Sequence, residues 1–454
     1  MSTTQLVLVS SAESLLAAAA AVDAGLLDRP RRRVLVLFGR APAPETAPLP
    51  HERPGMSAAT ARFDDVVVLD ELVRPADPGR WSPRGDDRPV LARLLRQAWG
   101  IGDDTVELVC DRPQSEQPVE WLMSAFYGCE VVRLVTDIAG YGPAREPIGW
   151  PQARRTSRHL YREHVAGLAP WPDGDEHRAG QGVAAVAIPA DAVGKLAQDV
   201  ASAADLPVPA EGVALVLAES FVAGGILTRD QETALWRDAV RTAAAVDGVT
   251  EVLVLADPVV PANLAVRLGD LAPEGVRLTP VEQPALAEVY LAAVRPVVVV
   301  GTMSPALLRA RADGVPVVAV GAKTVKERLR PYANPARLPW AVVDAALRED
   351  GRWSDTGDLA HLIGAVAFCM YPERLAERRT EVAAFLDRLE PAEIGRYTTA
   401  NRAQKLGLLP VPEPEPAPEP ALEPTPEPTP EPEPEAPAPA RGEKWFRGLV
   451  RKSH

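Results

Sequence analysis

The chain has 454 residues, 46% hydrophobic and 5% aromatic, with a formal net charge of -13 at pH 7. That length accommodates two domains with real cores, and the acidic balance lacks the basic stripe that a nucleic-acid surface needs, so no nucleic-acid partner is expected. Cys110, Cys129 and Cys369 have no CxxC or zinc-like spacing; buried thiols in a reducing cytoplasm are expected, and no metal.

Gln5–Val9 is a short Val/Leu run, followed by Ser10, Ser11 and Glu13 and an Ala/Leu helix to about Leu27. The start carries no basic n-region and is not read as a signal peptide, and Ala17–Ala21 is too short to span a membrane. Arg33–Phe38, Asp65–Leu69, Thr105–Cys110 and Glu130–Thr136 read as strands, with helices predicted at Pro89–Ala98 and Pro118–Phe126. Arg154, Arg155, Arg158 and Arg162 are read as a solvated helix face. Residues 180–211, with Pro189, Pro207 and Pro209, read as a loop-rich join.

The strand–helix alternation then repeats. Strands are predicted at Gly212–Ala218, Thr250–Ala256, Arg277–Pro280, Pro296–Gly301 and Val315–Val320. Helices are predicted at Thr228–Ala245, with Thr228 as N-cap, and at Val260–Leu271, Leu286–Ala293 and Ser304–Ala312. Alternation of this kind argues for parallel, doubly wound sheets. Residues 358–408 look helical and charged.

Residues 411–440 are Pro-Glu repeats with eight Glu and no Lys, Arg or Asp, so the rest of the chain is only mildly acidic. They lack the apolar surface to fold, and as polyproline II would reach roughly 90 Å. In 441–454, Trp445, Phe446, Leu449 and Val450 fall on one helical face among Arg441, Lys444, Arg447, Arg451 and Lys452. Such a tip reads either as a docking element for a protein or an anionic membrane, or as a solvated tail. A cytoplasmic location follows, peripheral at the inner face of the membrane if the tip docks there.

Asp137 lies just past a strand, where a doubly wound sheet presents catalytic groups, or it is a turn cap. Gly224 and Gly225 either admit a ligand to the backbone or serve a turn. Thr302 and Ser304 open a helix and suit either a phosphate or an ordinary N-cap. Taken together, Thr136–Arg145 (TDIAGYGPAR), Gly224–Thr228 (GGILT), Ala256-Asp257-Pro258 and Gly301–Leu307 (GTMSPAL) resemble, in order and separation, the bacterial α-2,8-polysialyltransferase family over roughly residues 1–370.

That resemblance implies two Rossmann-like α/β domains facing a cleft, GT-B-like, and inverting transfer of a sugar from a nucleotide donor to a glycan acceptor. The donor would be CMP-sialic acid or another nucleotide sugar, a substrate rather than a cofactor. Asp137 would be the general base. Tyr141, Arg145, Gly224, Gly225, Asp257, Thr302 and Ser304 would line the substrate site. Two positions depart from the family: Ile138 stands where glycine is expected, and Asp257 replaces the histidine of a Lys-Pro-His-Pro segment that donates to the donor phosphate. The family's Pro-x-Glu element falls near Glu282 and Glu288. The expected division is an acceptor-side domain at 1–200, a nucleotide-sugar-side domain at 201–370, a helical segment at 371–410, the spacer at 411–440 and the tip at 441–454. The alternative is a catalytically impaired homologue that binds a glycan, nucleotide or protein. A sugar-nucleotide epimerase is a third reading, disfavoured by missing histidine and Glu-His-type motifs.

Overall fold

The computed structural model describes residues 2–39, 48–143, 148–170, 183–206, 211–257, 263–269, 271, 275–281 and 284–409. The tail, Arg145, Pro258 and Glu282 therefore lie outside the described residues. Met1–Pro410 forms one compact unit with two parallel sheets.

The first lobe runs β1 (Thr3–Val9), α1 (Ala12–Asp23), β2 (Arg32–Leu37), α2 (Ser57–Thr60), β3 (Asp65–Val68), α3 (Leu69–Val73), α4 (Arg88–Ala98), β4 (Thr105–Cys110), α5 (Val119–Ala125), β5 (Glu130–Val135), α6 (Trp150–Ala153), β6 (Thr156–Arg162), β7 (Ala184–Ile188) and α7 (Ala190–Ala203). Its seven strands lie in the order β3-β2-β1-β4-β5-β6-β7. Leu6 pairs with Val34 on one side and Leu108 on the other. The central strands are apolar on both faces because helices cover both, as parallel sheets require. Alanines fill the buried length of α1 from Ala17 to Ala21, which lets that helix approach its neighbours closely.

The second lobe runs β8 (Val213–Ala218), α8 (Arg229–Ala244), β9 (Glu251–Ala256), α9 (Leu264–Leu268), β10 (Arg277–Val281), α10 (Ala287–Ala293), β11 (Val298–Gly301), α11 (Pro305–Ala312), β12 (Val317–Ala319), α12 (Ala322–Arg328), α13 (Arg337–Ala346), α14 (Thr356–Met370), α15 (Arg379–Leu386), α16 (Pro391–Tyr397) and α17 (Ala400–Lys405). Its strand order is β10-β9-β8-β11-β12. Pro280, which cannot donate to a ladder, sits on the edge strand β10. The two doubly wound α/β sheets expected from the sequence are both present.

Three local expectations are corrected. Arg158 and Arg162 lie on β6, not on a helix, and Arg162 is buried. Thr156, Leu160 and Tyr161 favour a half-buried strand, and Leu160 pairs with Leu134 of β5. Within the supposedly loop-rich join, β7 and the fourteen-residue α7 form. The Ala-rich α7 carries Val193, Leu196, Ala197 and Val200 on one buried stripe, and it packs on α1, α2 and α10. Of the helix expected at 260–271, residues 260–262 and 270 lie outside the described residues, Leu264–Leu268 is helical, and that helix ends earlier than expected, at Gly269, whose φ of 57° suits glycine.

The lobes touch beyond α7. A Cβ on Gly142 would lie 2.6 Å from Leu338 of α13 and 3.7 Å from Ala367 of α14, and Thr356 Oγ1 donates to Ala166 O at 3.1 Å. Among the described residues, no helix is long and apolar enough to cross a membrane.

Candidate functional site

In each sheet the strand order reverses beside the first strand, between β1 and β4 and between β8 and β11. Doubly wound sheets bind ligands at such points, outside the carboxyl ends of the strands. At the first, Ser10 N and Oγ both donate to Asp111 Oδ2, at 2.8 Å each. Ser11 caps α1 by accepting from Ser14 N, and Ser14 Oγ meets Thr136 Oγ1 at 3.0 Å.

At the second point, Glu219 follows β8. Its carboxylate accepts from Thr302 N at 2.5 Å and from Met303 N at 3.0 Å. These amides precede α11, whose N-cap is Ser304. Two consecutive amides at a helix start form a nest for an oxyanion, and the chain's own carboxylate occupies it. Burial pushes the Glu219 carboxyl up to about 7, against the lowering effect of the two amides and with Asp257 raising it further.

A second carboxylate behaves similarly. Glu232 Oε1 accepts from Phe221 N at 2.7 Å and Val222 N at 2.8 Å, while its other oxygen pairs with Arg267 at 2.8 Å. That guanidinium lies 3.9 Å over the Trp236 ring. The loop after β8 is thereby tied to α8.

The two points face each other across the lobes. Glu13, in the first turn of α1, is pushed up by burial and further by the charges of Glu288 and Asp257. Arg53, from the loop before α2, donates to Pro284 O at 3.1 Å and feels both Glu13 and Asp257. Arg162 at the end of β6 pairs with Glu288 of α10 at 2.7 Å. Burial raises the Glu288 carboxyl, but Arg162 and its own backbone amide outweigh this and hold it below its ordinary value. His164 Nε2 lies 2.9 Å from Thr136 O. Burial first and Arg162 second lower that imidazole to about 3, so it stays neutral at physiological pH. The cleft thus gathers four carboxylates, Glu13, Glu219, Asp257 and Glu288, with Arg53, Arg162 and a neutral histidine.

No protein-family model matches the chain, and no curated protein matches it. Solved structures similar to it include a UDP-GlcNAc 2-epimerase from Neisseria meningitidis bound to UDP-GlcNAc, 10% identical, covering 89% of this chain and 98% of that one with a TM-score of 0.43. Another is Phytolacca americana UGT2 complexed with UDP-2fluoro-glucose and pterostilbene, 11% identical, covering 90% and 99% with a TM-score of 0.37. A third is a family 9 glycosyl transferase from Veillonella parvula, 10% identical, covering 70% and 80% with a TM-score of 0.34. With these TM-scores below 0.5 the likeness fixes neither family nor activity.

The residues singled out from sequence fall as follows. Asp137 is exposed at the carboxyl end of β5 and caps the following 3-10 turn through Ala139 N at 3.0 Å. Tyr141 is fully buried and its hydroxyl donates to Arg162 O at 2.5 Å, so the contact with substrate expected of it is closed to it. Gly224 and Gly225 are exposed in a turn closed by Ile226 N donating to Phe221 O at 2.9 Å, with Gly225 at φ 65°. Asp257 sits half-buried past β9, its amide donating to Ala218 O at 3.0 Å. Thr302 is 4% exposed, and the Ser304 hydroxyl accepts from Ala306 N at 3.3 Å as an N-cap. The structure brings Asp257, Thr302 and Ser304 to the second switch point with Glu219. Sequence reasoning missed Glu219, Glu13 and His164. Glu219 had a signal, being the first residue past the opening strand of the second half.

Proposed function

We propose that this chain is a glycosyltransferase that takes a nucleotide sugar in the interlobe cleft, donor phosphate at the β8/β11 point and acceptor on the first-lobe side. The supporting observation is the amide nest of Thr302 and Met303, already holding an oxyanion from Glu219. A carboxylate raised to about 7 is held poorly in its charged form, so a phosphate that keeps its charge at neutral pH competes well for the same amides. Glu219 is then the group the donor displaces.

On the acceptor side, the base is assigned to Asp137, an exposed carboxylate at the carboxyl end of β5, which removes the proton of the attacking hydroxyl as the sugar–phosphate bond breaks. The departing nucleotide carries its growing charge into the nest. Four carboxylates against two arginines suit a donor with one phosphate better than one with two, which favours the cytidine monophosphate type and, as its finer form, sialyl transfer. The test is calorimetric titration of the full chain with CMP, CDP, UDP and CMP-sialic acid, followed by turnover with oligosialic acid as acceptor. Micromolar CMP binding and turnover lost in Asp137→Ala support the reading. No binding to any nucleotide would remove it.

A second reading is a non-catalytic homologue whose cleft takes an uncharged glycan. The observation favouring it is Asp257, a negative charge at a position where the resembled family has a phosphate-donating histidine.

A further inference from the structure

Among the described residues six large apolar side chains are exposed on the first lobe; Val66 and Leu72 stand apart, and four are joined by a run of contacts: Val90 at 59%, Leu94 at 57%, Tyr127 at 89% and Trp150 at 59%. Val90 and Leu94 stand one turn apart on α4, whose apolar face buries Leu95 and leaves these two to solvent. α4 packs on α5, and Arg96 lies 5.7 Å over the Phe126 ring at the end of α5. Tyr127 is the next residue, and Arg155 lies 5.2 Å over its ring. Arg154 in turn lies 4.7 Å over Trp150.

The charge on this band is distinctive. In a chain of net charge -13, α4 carries Arg88, Arg93 and Arg96 and no acidic residue. Asp86 and Asp87 precede it, and Glu130 opens β5; the arginines of the band outnumber them. The apolar groups alternate with guanidinium groups rather than forming the continuous apolar centre of a protein–protein interface. Tyr and Trp rings with stacked arginines suit the headgroup level of a bilayer, where one end of each group is apolar and the other wet. Tyr127 precedes β5 and Trp150 precedes β6, so both sit toward the amino ends of their strands, away from the carboxyl ends that form the cleft.

We propose that this band is a docking surface for an anionic lipid bilayer. Val90, Leu94, Tyr127 and Trp150 enter the headgroup layer, and the arginines meet lipid phosphates. A membrane seated there leaves the cleft open to soluble donor and acceptor.

The test is sedimentation of the full chain with phosphatidylcholine vesicles containing roughly one third phosphatidylglycerol, beside pure phosphatidylcholine vesicles. Two double variants are compared, Leu94→Glu with Trp150→Glu and Arg93→Glu with Arg154→Glu. Wild type is expected to bind the anionic vesicles selectively, and each variant about tenfold more weakly, with unchanged thermal melting because the altered side chains are exposed. Three outcomes would overturn the proposal. Wild type fails to prefer anionic vesicles. The variants bind as wild type does, which moves membrane binding elsewhere, for instance to 441–454. Or the substitutions abolish a self-association seen by sedimentation equilibrium, which makes the band a protein interface.

Discussion

Glu219 carries opposed roles, satisfying two amides that would otherwise be orphaned at the head of α11 while placing a buried negative charge beside Asp257. Its carboxyl sits near 7, above its ordinary 4.5, so the folded state takes up a proton that the unfolded state does not hold. Its stabilising contribution is therefore complete below pH 4.5 and is lost as pH rises through about 7. The burial-raised Glu13 acts with the same sign. Thermal melts between about pH 5 and 8 should show this decline, and Glu219→Ala should flatten it. Arg162 gives a contrasting case. Its buried pairing with Glu288 at 2.7 Å leaves an uncompensated carboxylate if the guanidinium is removed, so Arg162→Ala should cost about 3–5 kcal/mol in chemical denaturation. A loss under 1 kcal/mol, roughly that of a surface pair, would show the lobes are not latched there.

At the scale of elements, α7 decides how the lobes meet, and Gly55 decides how α7 seats on α2. A Cβ at Gly55 would lie 2.1 Å from Val200 O, and the residue holds φ 74°. Both the clash with backbone and the left-handed conformation resist a side chain. Gly55→Ala should lower stability by about 1–3 kcal/mol, read as a fall in melting temperature, whereas Gly225→Ala, with open space around it, should show only the smaller backbone cost. The contrast also shows what the sequence made legible. Strands such as Val213–Ala218 and helices with clear caps, such as that after Thr228, were readable because apolar period and capping chemistry are local. β6 was hidden because its arginines look solvent-facing until one knows that Arg162 has Glu288 as a partner 126 residues away. α7 was hidden because Ala-rich segments flanked by prolines carry little period.

For the whole molecule, the two sheet orders place both switch points toward one cleft, and that arrangement was legible from strand–helix alternation and the resemblance at 136–145 and 301–307. The occupancy of the cleft was not. Asp257 and Thr302 were visible as residues, but the Glu219 carboxylate that binds the Thr302 amide and feels the charge of Asp257, and the opposition of Glu13 to Asp257, depend on loops from four different strands. Opening should respond to the latches: Arg53→Ala, which removes the bond to Pro284 O, should enlarge the radius of gyration in small-angle scattering while far-UV dichroism stays unchanged. The measurement that bears most directly on the donor nest is titration of CMP into wild type and Glu219→Ala at pH 6 and pH 8, the variant reporting the ligand's own titration. If Glu219 stands in for the donor phosphate, its displacement into water returns the carboxyl from about 7 to its ordinary 4.5 and releases a proton, so wild type binds about tenfold more tightly at pH 8 than at pH 6, and Glu219→Ala gains affinity at pH 6 and loses most of that dependence. If the variant binds CMP no better than wild type at pH 6, or loses binding altogether, the nest is not the phosphate site.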